Sequence, residues 1–292
     1  MTTVTRDLSI LYALTTEARL GAKAVAALIA HFGEPEAIWE AGTAQIAEVA
    51  HVADEDLERL EGARNLTDAL TEDLELMIQQ GTRPIPITSA DYPHRLLNLD
   101  DPPTILYVRG ELPAADTRCV AVVGTHQADN EGIADAVAWG KGLAERGVTV
   151  ISGLARGIDG GAHTGALAGG GKTCAVLGAG FDNIYPPEHR ALAESIEQSG
   201  ALIAEYSPRT PLTKPRLVFR NRLIVALSDA VIVVRLHADT RGSMEAIRRA
   251  RDLAVPTFLV AVDTEKPSID AVAEGAIPIP RAPDFDLVLN YL

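Results

Sequence analysis

Apolar positions along the chain follow two different periods. Up to about residue 81 they recur at three- and four-residue spacing, the mark of amphipathic helices. EARLGAKAVAALIAHFG carries that spacing and stops at Gly33, a residue type suited to a helix end. PEAIWEAG and TAQIAEVAHV predict shorter helices broken at Gly42, and DEDLERLEGARNLTDALTEDLELMIQQG predicts one longer amphipathic stretch ending at Gly81. From Arg118 onward the pattern changes. Short continuous apolar runs, CVAVVG, VTVISG, TCAVLG, ALIAEY, DAVIVVR and PTFLVAV, alternate with helical stretches. Runs of this kind predict strands buried on both faces, and helical crossovers between them predict a parallel, doubly wound α/β sheet.

Between the two regions lies RPIPITSADYPHRLLNLDDPPTILYVRGELP, with Pro84, Pro86, Pro93, Pro102, Pro103 and Pro113. Prolines at this density exclude long helices and favour extended segments and turns. The organisation expected is a helical domain over 1–81, a proline-rich connector over 82–117 that packs on the core, and an α/β domain over 118–292. Within the connector, TILYVRG predicts a short strand. Near the C-terminus, AEGAIPIPRAPDFDLVLNYL is open between a return to the sheet edge and a contact with another subunit.

Charge changes the picture in one respect. The net charge is -14, but residues 1–80 hold 15 acidic and 5 basic residues, so most of the imbalance sits in the helical region. That argues against a nucleic-acid role for those helices, even though a helix-hairpin-helix or SAM-like bundle fits their lengths. RTPLTKPRLVFRNR, from Arg209 to Arg222, carries five basic residues and no acidic one. Such a patch holds a polyanion on an acidic protein, because charge beyond roughly 10 Å is screened. No long uncharged apolar run and no secretory leader is evident, so a cytoplasmic location is expected. Cys119 and Cys174 lie in strand-like runs and read as buried reduced thiols, and no metal-ligand spacing is present.

The unusual residues fall after the predicted strands: GTHQADNEG, SGLARGID, GAGFDNIYP, EYSP and RLHADTRGS. In a doubly wound sheet these loops share the carboxyl edge, where ligands bind. In SGLARGID the glycines allow backbone N–H groups to approach an anion, a helix start adds partial positive charge, and Arg156 adds a forked cation. Asp159 is expected to cap the helix. The loop therefore reads as a phosphate cradle. VVGTHQAD lacks the G-x-G-x-x-G dinucleotide spacing, and GGGKT lacks Walker A spacing, so Lys172 is an ordinary turn lysine. Phe181, Tyr185, Tyr206 and Phe219 read as packing residues before stacking platforms, and His163 as a packed, hydrogen-bonded histidine. RRARD, from Arg248 to Asp252, reads as a solvated helix face.

SGLARGIDGGAH, AVLGAGFDNIYPPEH, LIAEYSP and FRNRLIVALSDAVIVV, in this order, resemble the DNA-processing protein A family (DprA, also called Smf). YPHRLLNLDDPPTILYVRG resembles the segment before that family's first core strand, so the resemblance covers roughly residues 85 to 262. It implies an extended Rossmann-like domain in a cofactor-free binding protein, not an enzyme. It further implies binding and protection of single-stranded DNA, a homodimer, and loading of the recombinase RecA in natural transformation. On the matching positions, Ser152, Gly153, Arg156, Gly157 and Asp159 fall in the phosphate loop. Gly124 and Thr125 fall in the first-strand turn, Arg220 and Arg222 in the F-x-R-N-R segment, and Gly242 and Ser243 in the turn after the fifth strand.

The chain departs from the family pattern in three places. His126 stands where the family carries arginine, and histidine as a residue type is largely uncharged at neutral pH. TRGSMEAI, from Thr240 to Ile247, brings the carboxylate of Glu245 toward the expected pocket. The segment after the last predicted strand, about thirty residues, is too short for the winged-helix extension of many members. An alternative follows from the wider superfamily, which includes LOG-type nucleoside-monophosphate phosphoribohydrolases. In that reading Arg222 and Glu245 would be catalytic, stabilising a cationic sugar and its leaving anion in a nucleotide pocket.

Overall fold

The computed structural model describes residues 3–65, 67–236, 241–260 and 266–292, with the side chains of 67, 241, 266 and 267 left aside. The chain divides into two compact units, Met1–Val108 and Arg109–Leu292.

Among the described residues of the first unit, six α-helices follow one another: α1 (Arg6–Thr16), α2 (Ala22–Phe32), α3 (Pro35–Glu40), α4 (Thr43–Ala47), α5 (Asp54–Arg64) and α6 (Thr67–Gln79). Their apolar stripes meet in a core that includes Leu11, Leu14, Val25, Leu28, Ile38, Ile46 and Leu74, all buried. Each such side chain contributes about 1.5–3 kcal/mol when withdrawn from water. The stretch read as one amphipathic helix from Asp54 is in fact two, with α5 closing at Asn65. Asparagine favours helix ends because its side chain competes for backbone groups. Tyr12 donates to Asp73 across α1 and α6. The proline-rich stretch supplies β1 (Arg83–Pro86) and β2 (Ile105–Gly110), an antiparallel pair with Arg83 opposite Val108.

The second unit alternates β3 (Cys119–Val123), α7 (Asn130–Ala144), β4 (Thr149–Ser152), α8 (Ile158–Ala168), β5 (Thr173–Leu177), α9 (Arg190–Ser199) and β6 (Ala201–Ala204). Then come α10 (Lys214–Phe219), α11 (Asn221–Ala226), β7 (Ala230–Val233), α12 (Arg241–Asp252), β8 (Thr257–Val260), α13 (Lys266–Ala273), β9 (Ile277–Ile279) and α14 (Phe285–Leu289). Its strands run in the order β6-β5-β4-β3-β7-β8-β9, and each recorded pairing among them is parallel. Strands β3 to β8 are buried along their length, as continuous apolar runs require. AIPIP, left open by the sequence, resolves as β9 pairing with β8, with Phe258 opposite Ile277.

Two features of this unit position the site. The chain moves outward from β3 through β4 and β5 to β6, then returns to β7 on the other side of β3. That reversal is the topological switch point of a doubly wound sheet, where the loops leaving neighbouring strands part and open a crevice. Beneath it, one face of the sheet is sealed by Val120, Val122, Trp139, Leu143, Val150, Ala162, Ile232 and Phe258. Helix α14 closes that cluster, with Phe285 edge-on to Trp139 at 5.0 Å between ring centroids and the Arg146 guanidinium 4.1 Å over Phe285. The arrangement is an α/β, Rossmann-like parallel sheet accompanied by N-terminal helices.

Candidate functional site

A cavity of about 460 Å³ opens at the switch point. Four of the five loop segments picked out along the α/β part of the chain reach it; EYSP does not, and the basic segment that follows it does instead. Gly124–His126 follow β3, Gly153, Ala155 and Arg156 follow β4, and Tyr185 follows β5. Lys214, Leu217, Val218, Arg220 and Asn221 follow β6, and Gly242, Ser243 and Ala246 start α12 after β7. The loops are tied to one another by backbone. Thr125 N–H donates to Arg235 O at 3.2 Å, and Ile158 N–H donates to Thr125 O at 3.3 Å. Asn221 Nδ2 donates to Gly242 O at 3.1 Å, joining α11 to the first turn of α12.

The floor of the cavity is built on Arg220, which is only 4% exposed. Its Nη1 donates to Gly153 O at 2.5 Å and also to Val176 O, and its Nε donates to Asn221 Oδ1 at 3.0 Å. Its Nη2 lies 3.6 Å from Asp159 Oδ2. Burial pushes the Asp159 carboxyl above the ordinary carboxylate range, while Arg220 and nearby loop N–H groups pull the other way. Gly153 is obligatory here, because a Cβ would stand 2.0 Å from the Arg220 guanidinium. The expectation that Asp159 caps α8 is corrected. The cap position is Gly157, without a side-chain bond, and Asp159 instead accepts from Ala155 N–H at 3.4 Å. A carboxylate facing a buried guanidinium gains more from that partner than from a helix end.

Arg222 is 1% exposed and does not line the cavity. Its Nη2 donates to Glu205 Oε1 at 2.6 Å, and its guanidinium lies 4.2 Å over the Phe219 ring. Glu245 is also off the cavity, accepting from Arg249 Nε at 2.9 Å. The carboxylate expected to approach the pocket is thus held along its own helix, by an i,i+4 partner. Arg222 and Glu245, the pair a phosphoribohydrolase reading requires at the pocket, each pair elsewhere.

The rim is different. The Arg156 side chain is 47% exposed, with its Nε donating to Glu188 Oε1 at 2.6 Å and Nη1 to Tyr185 Oη at 3.2 Å. The guanidinium stands 5.5 Å over the Tyr185 ring. Glu188 holds the Arg156 pKa above its ordinary value, and Arg156 holds Glu188 below its own. Lys214 and His126 are exposed on the same cavity. Among the described residues, no acceptor meets the N–H groups of Arg156 or Gly157. Gly157 has φ +70°, and a Cβ there would lie 2.5 Å from Thr125 O. Leu154 also takes a positive φ of 61°, with its carbonyl 2.9 Å from His189 Nδ1. A left-handed non-glycine residue costs about 1–2 kcal/mol and persists because its surroundings fix it.

Of the residues singled out by sequence, Gly124, Thr125, Gly153, Arg156, Asp159, Arg220, Gly242 and Ser243 line the cavity. Ser152, Gly157 and Arg222 lie outside its lining. Ser152 is fully buried, its hydroxyl donating to Val122 O at 2.6 Å, and thereby ties β4 to β3. Thr240 lies outside the described residues. Sequence reasoning did not single out Lys214, Glu188 or His189 for the site, and it read Tyr185 as packing. The signal for Lys214 was the proline that follows it, since proline at the start of a helix places its neighbour on the first, exposed turn.

Elsewhere, His163 is fully buried with Nδ1 2.7 Å from Thr173 Oγ1, and Lys172 reaches Glu111 at 3.4 Å. Cys119 and Cys174 are buried and not joined in a disulfide, and burial pushes the Cys174 thiol up to about 12. Arg248 and Arg251 pair with Glu274 on an exposed face. No helix among the described residues is long and apolar enough to cross a membrane.

The family model for DNA recombination-mediator protein A matches residues 83–279. The chain belongs to that family. It is 34% identical over 213 residues to the DNA processing protein DprA of Bacillus subtilis, covering 71% of each chain. It is 40% identical over 206 residues to Protein Smf of Escherichia coli, covering 66% of this chain and 53% of that one. The matched region thus spans about half the length of the Escherichia coli relative. Among solved structures, Streptococcus pneumoniae DprA superposes with a TM-score of 0.79 at 26% identity, over 95% of both chains. Helicobacter pylori DprA, a structure described for its single-stranded DNA binding mode, has a TM-score of 0.63 at 26% identity. That match covers 72% of this chain and 94% of that one.

Proposed function

We propose that this family member binds the phosphate backbone of single-stranded DNA at the switch-point cavity and acts as a non-catalytic recombination mediator. The observation that carries the reading is the rim. An exposed arginine and an exposed lysine border one cavity at a helix start, where the N–H groups of Arg156 and of the adjacent Gly157 meet no acceptor among the described residues. A single strand bound without sequence preference needs cations and N–H donors along its backbone, and this set offers them without base-edge readers. Gly124, Thr125, Gly153, Gly242 and Ser243 line the passage, while Ser152, Gly157 and Asp159 fix the loop's course. Arg220 and Arg222 serve as its scaffold. The Helicobacter pylori relative, described for single-stranded DNA binding, shares this fold. A homodimer and delivery of the strand to a RecA-class recombinase, with protection of the strand, follow from family membership as part of the same proposal.

The test is fluorescence anisotropy of a labelled oligothymidylate across a salt series, with AMP as competitor. Binding at micromolar or tighter Kd that weakens steeply with salt is expected, because neutralised phosphates release counterions. Absence of binding, or full displacement by low AMP, would instead assign the cavity to a mononucleotide.

A further inference from the structure

Glu188 is unexplained by the reading above. It is an acidic side chain set against the most exposed arginine of a site proposed to hold an anion. Its geometry is specific. Glu188 Oε1 takes the Arg156 Nε–H at 2.6 Å, while Tyr185 Oη takes Nη1 at 3.2 Å and the ring lies under the guanidinium. Both partners of the ion pair are about half exposed, at 47% and 53%. Neither is locked by burial, unlike Arg220 in the floor and Arg222 off the cavity.

Resting on the phosphate-backbone reading of the cavity, we propose that Glu188 is a built-in competitor that occupies Arg156 until a nucleic-acid phosphate displaces it. The exchange costs little, because solvent screens an exposed ion pair and leaves it worth little. Tyr185 makes the exchange possible without loss of the arginine. Its hydroxyl and ring face hold the guanidinium at the cavity mouth while the carboxylate leaves. A phosphate that also meets Lys214 and the loop N–H groups wins against the carboxylate. An isolated anion without those further contacts competes on nearly equal terms. Glu188 would thus set a threshold favouring a phosphate chain over stray small anions.

The exchange has a signature in salt dependence. When Arg156 turns to phosphate, Glu188 is left without its cation and recruits one from solution, which offsets part of the counterion release. Removing the carboxylate abolishes that offset. Anisotropy with labelled oligothymidylate is therefore measured for the full-length wild type, Glu188→Gln, Arg156→Ala and the double variant, each checked by thermal melting. The expectation is that Glu188→Gln tightens binding about three- to fivefold at low salt, within the range an exposed pair allows. Its salt slope should steepen by up to ~0.7, the single-strand value for one phosphate. In the Arg156→Ala background the same substitution should do nothing. Unchanged affinity for Glu188→Gln, or an equal gain without Arg156, would overturn the exchange and leave the DNA reading standing. If neither the wild type nor Glu188→Gln binds DNA, the reading of the cavity fails, and the exchange fails with it.

Discussion

Arg220 and Arg156 border the same cavity, yet one is 4% exposed and the side chain of the other is 47% exposed. Arg220 meets three backbone carbonyls, an asparagine and a carboxylate, and is buried among them. Arg156 meets one exposed carboxylate and one exposed phenol. Position in a motif does not separate them, since both come from segments that read as phosphate-binding. Their surroundings do. A guanidinium that replaces water with protein acceptors is part of the fold, and one that keeps a replaceable partner is free to trade it for a ligand.

The comparison breaks most readily at the floor. Arg220→Ala should lower stability by about 3–5 kcal/mol, because Asp159 would be left buried without its cation. Denaturant unfolding checks it, and a loss below about 1 kcal/mol would place Arg220 with the rim. Arg220→Lys should recover only part, since one ammonium cannot span Gly153 O, Val176 O and Asp159 in the fork geometry of a guanidinium.

A second effect comes from beneath the same loop. Thr173 Oγ1 donates to Val150 O at 2.7 Å, so it must accept from His163 Nδ1–H, which fixes the neutral tautomer of a buried ring. Burial, with Arg220 and His189 nearby, lowers the His163 pKa from 6.5 to about 3. Below pH 6.5 the unfolded chain takes up a proton that the folded chain refuses. The stability present above pH 6.5 is therefore lost as pH falls toward 3, by up to ~1.4 kcal/mol per pH unit. Unfolding curves at pH 7.5 and 5 should differ by about 2 kcal/mol from this group, and His163→Gln should flatten that difference.

At the rim the expected effect is smaller and of another kind. Arg156→Ala should weaken oligonucleotide binding about tenfold, or ~1.4 kcal/mol, with an unchanged melting temperature. Unchanged affinity would remove the loop arginine from the site. A large fall in melting temperature would move Arg156 into the floor.

The sheet was legible because its strands are uninterrupted apolar runs, which few other structures tolerate. The five loops at its carboxyl edge followed from topology alone. What did not read through was the division between floor and rim. RTPLTKPRLVFRNR looks like one basic patch, yet Arg220, at the junction of α10 and α11, and Arg222, in α11 beside the buried Leu223, Ile224, Val225 and Ala226, are both buried. An arginine flanked by apolar residues on a short helix is as readily a buried ion-pair partner as a surface cation. The acceptors that decide it come from β4, β5 and the β6 loop, far away in sequence. The same holds for Asp159, whose helix-start position suggested a cap until Arg220 supplied a stronger partner. Glu188 escaped notice because a lone glutamate after two prolines carries no spacing signal.

The most direct measurement is a crystal structure with a short oligothymidylate. A backbone phosphate within about 3 Å of Arg156, with the Arg156 and Gly157 N–H groups turned toward it and Arg220 still on Gly153, is the predicted result. A strand bound away from the switch-point cavity, or a phosphate seated on Arg220 with Asp159 displaced, would contradict the division between rim and floor.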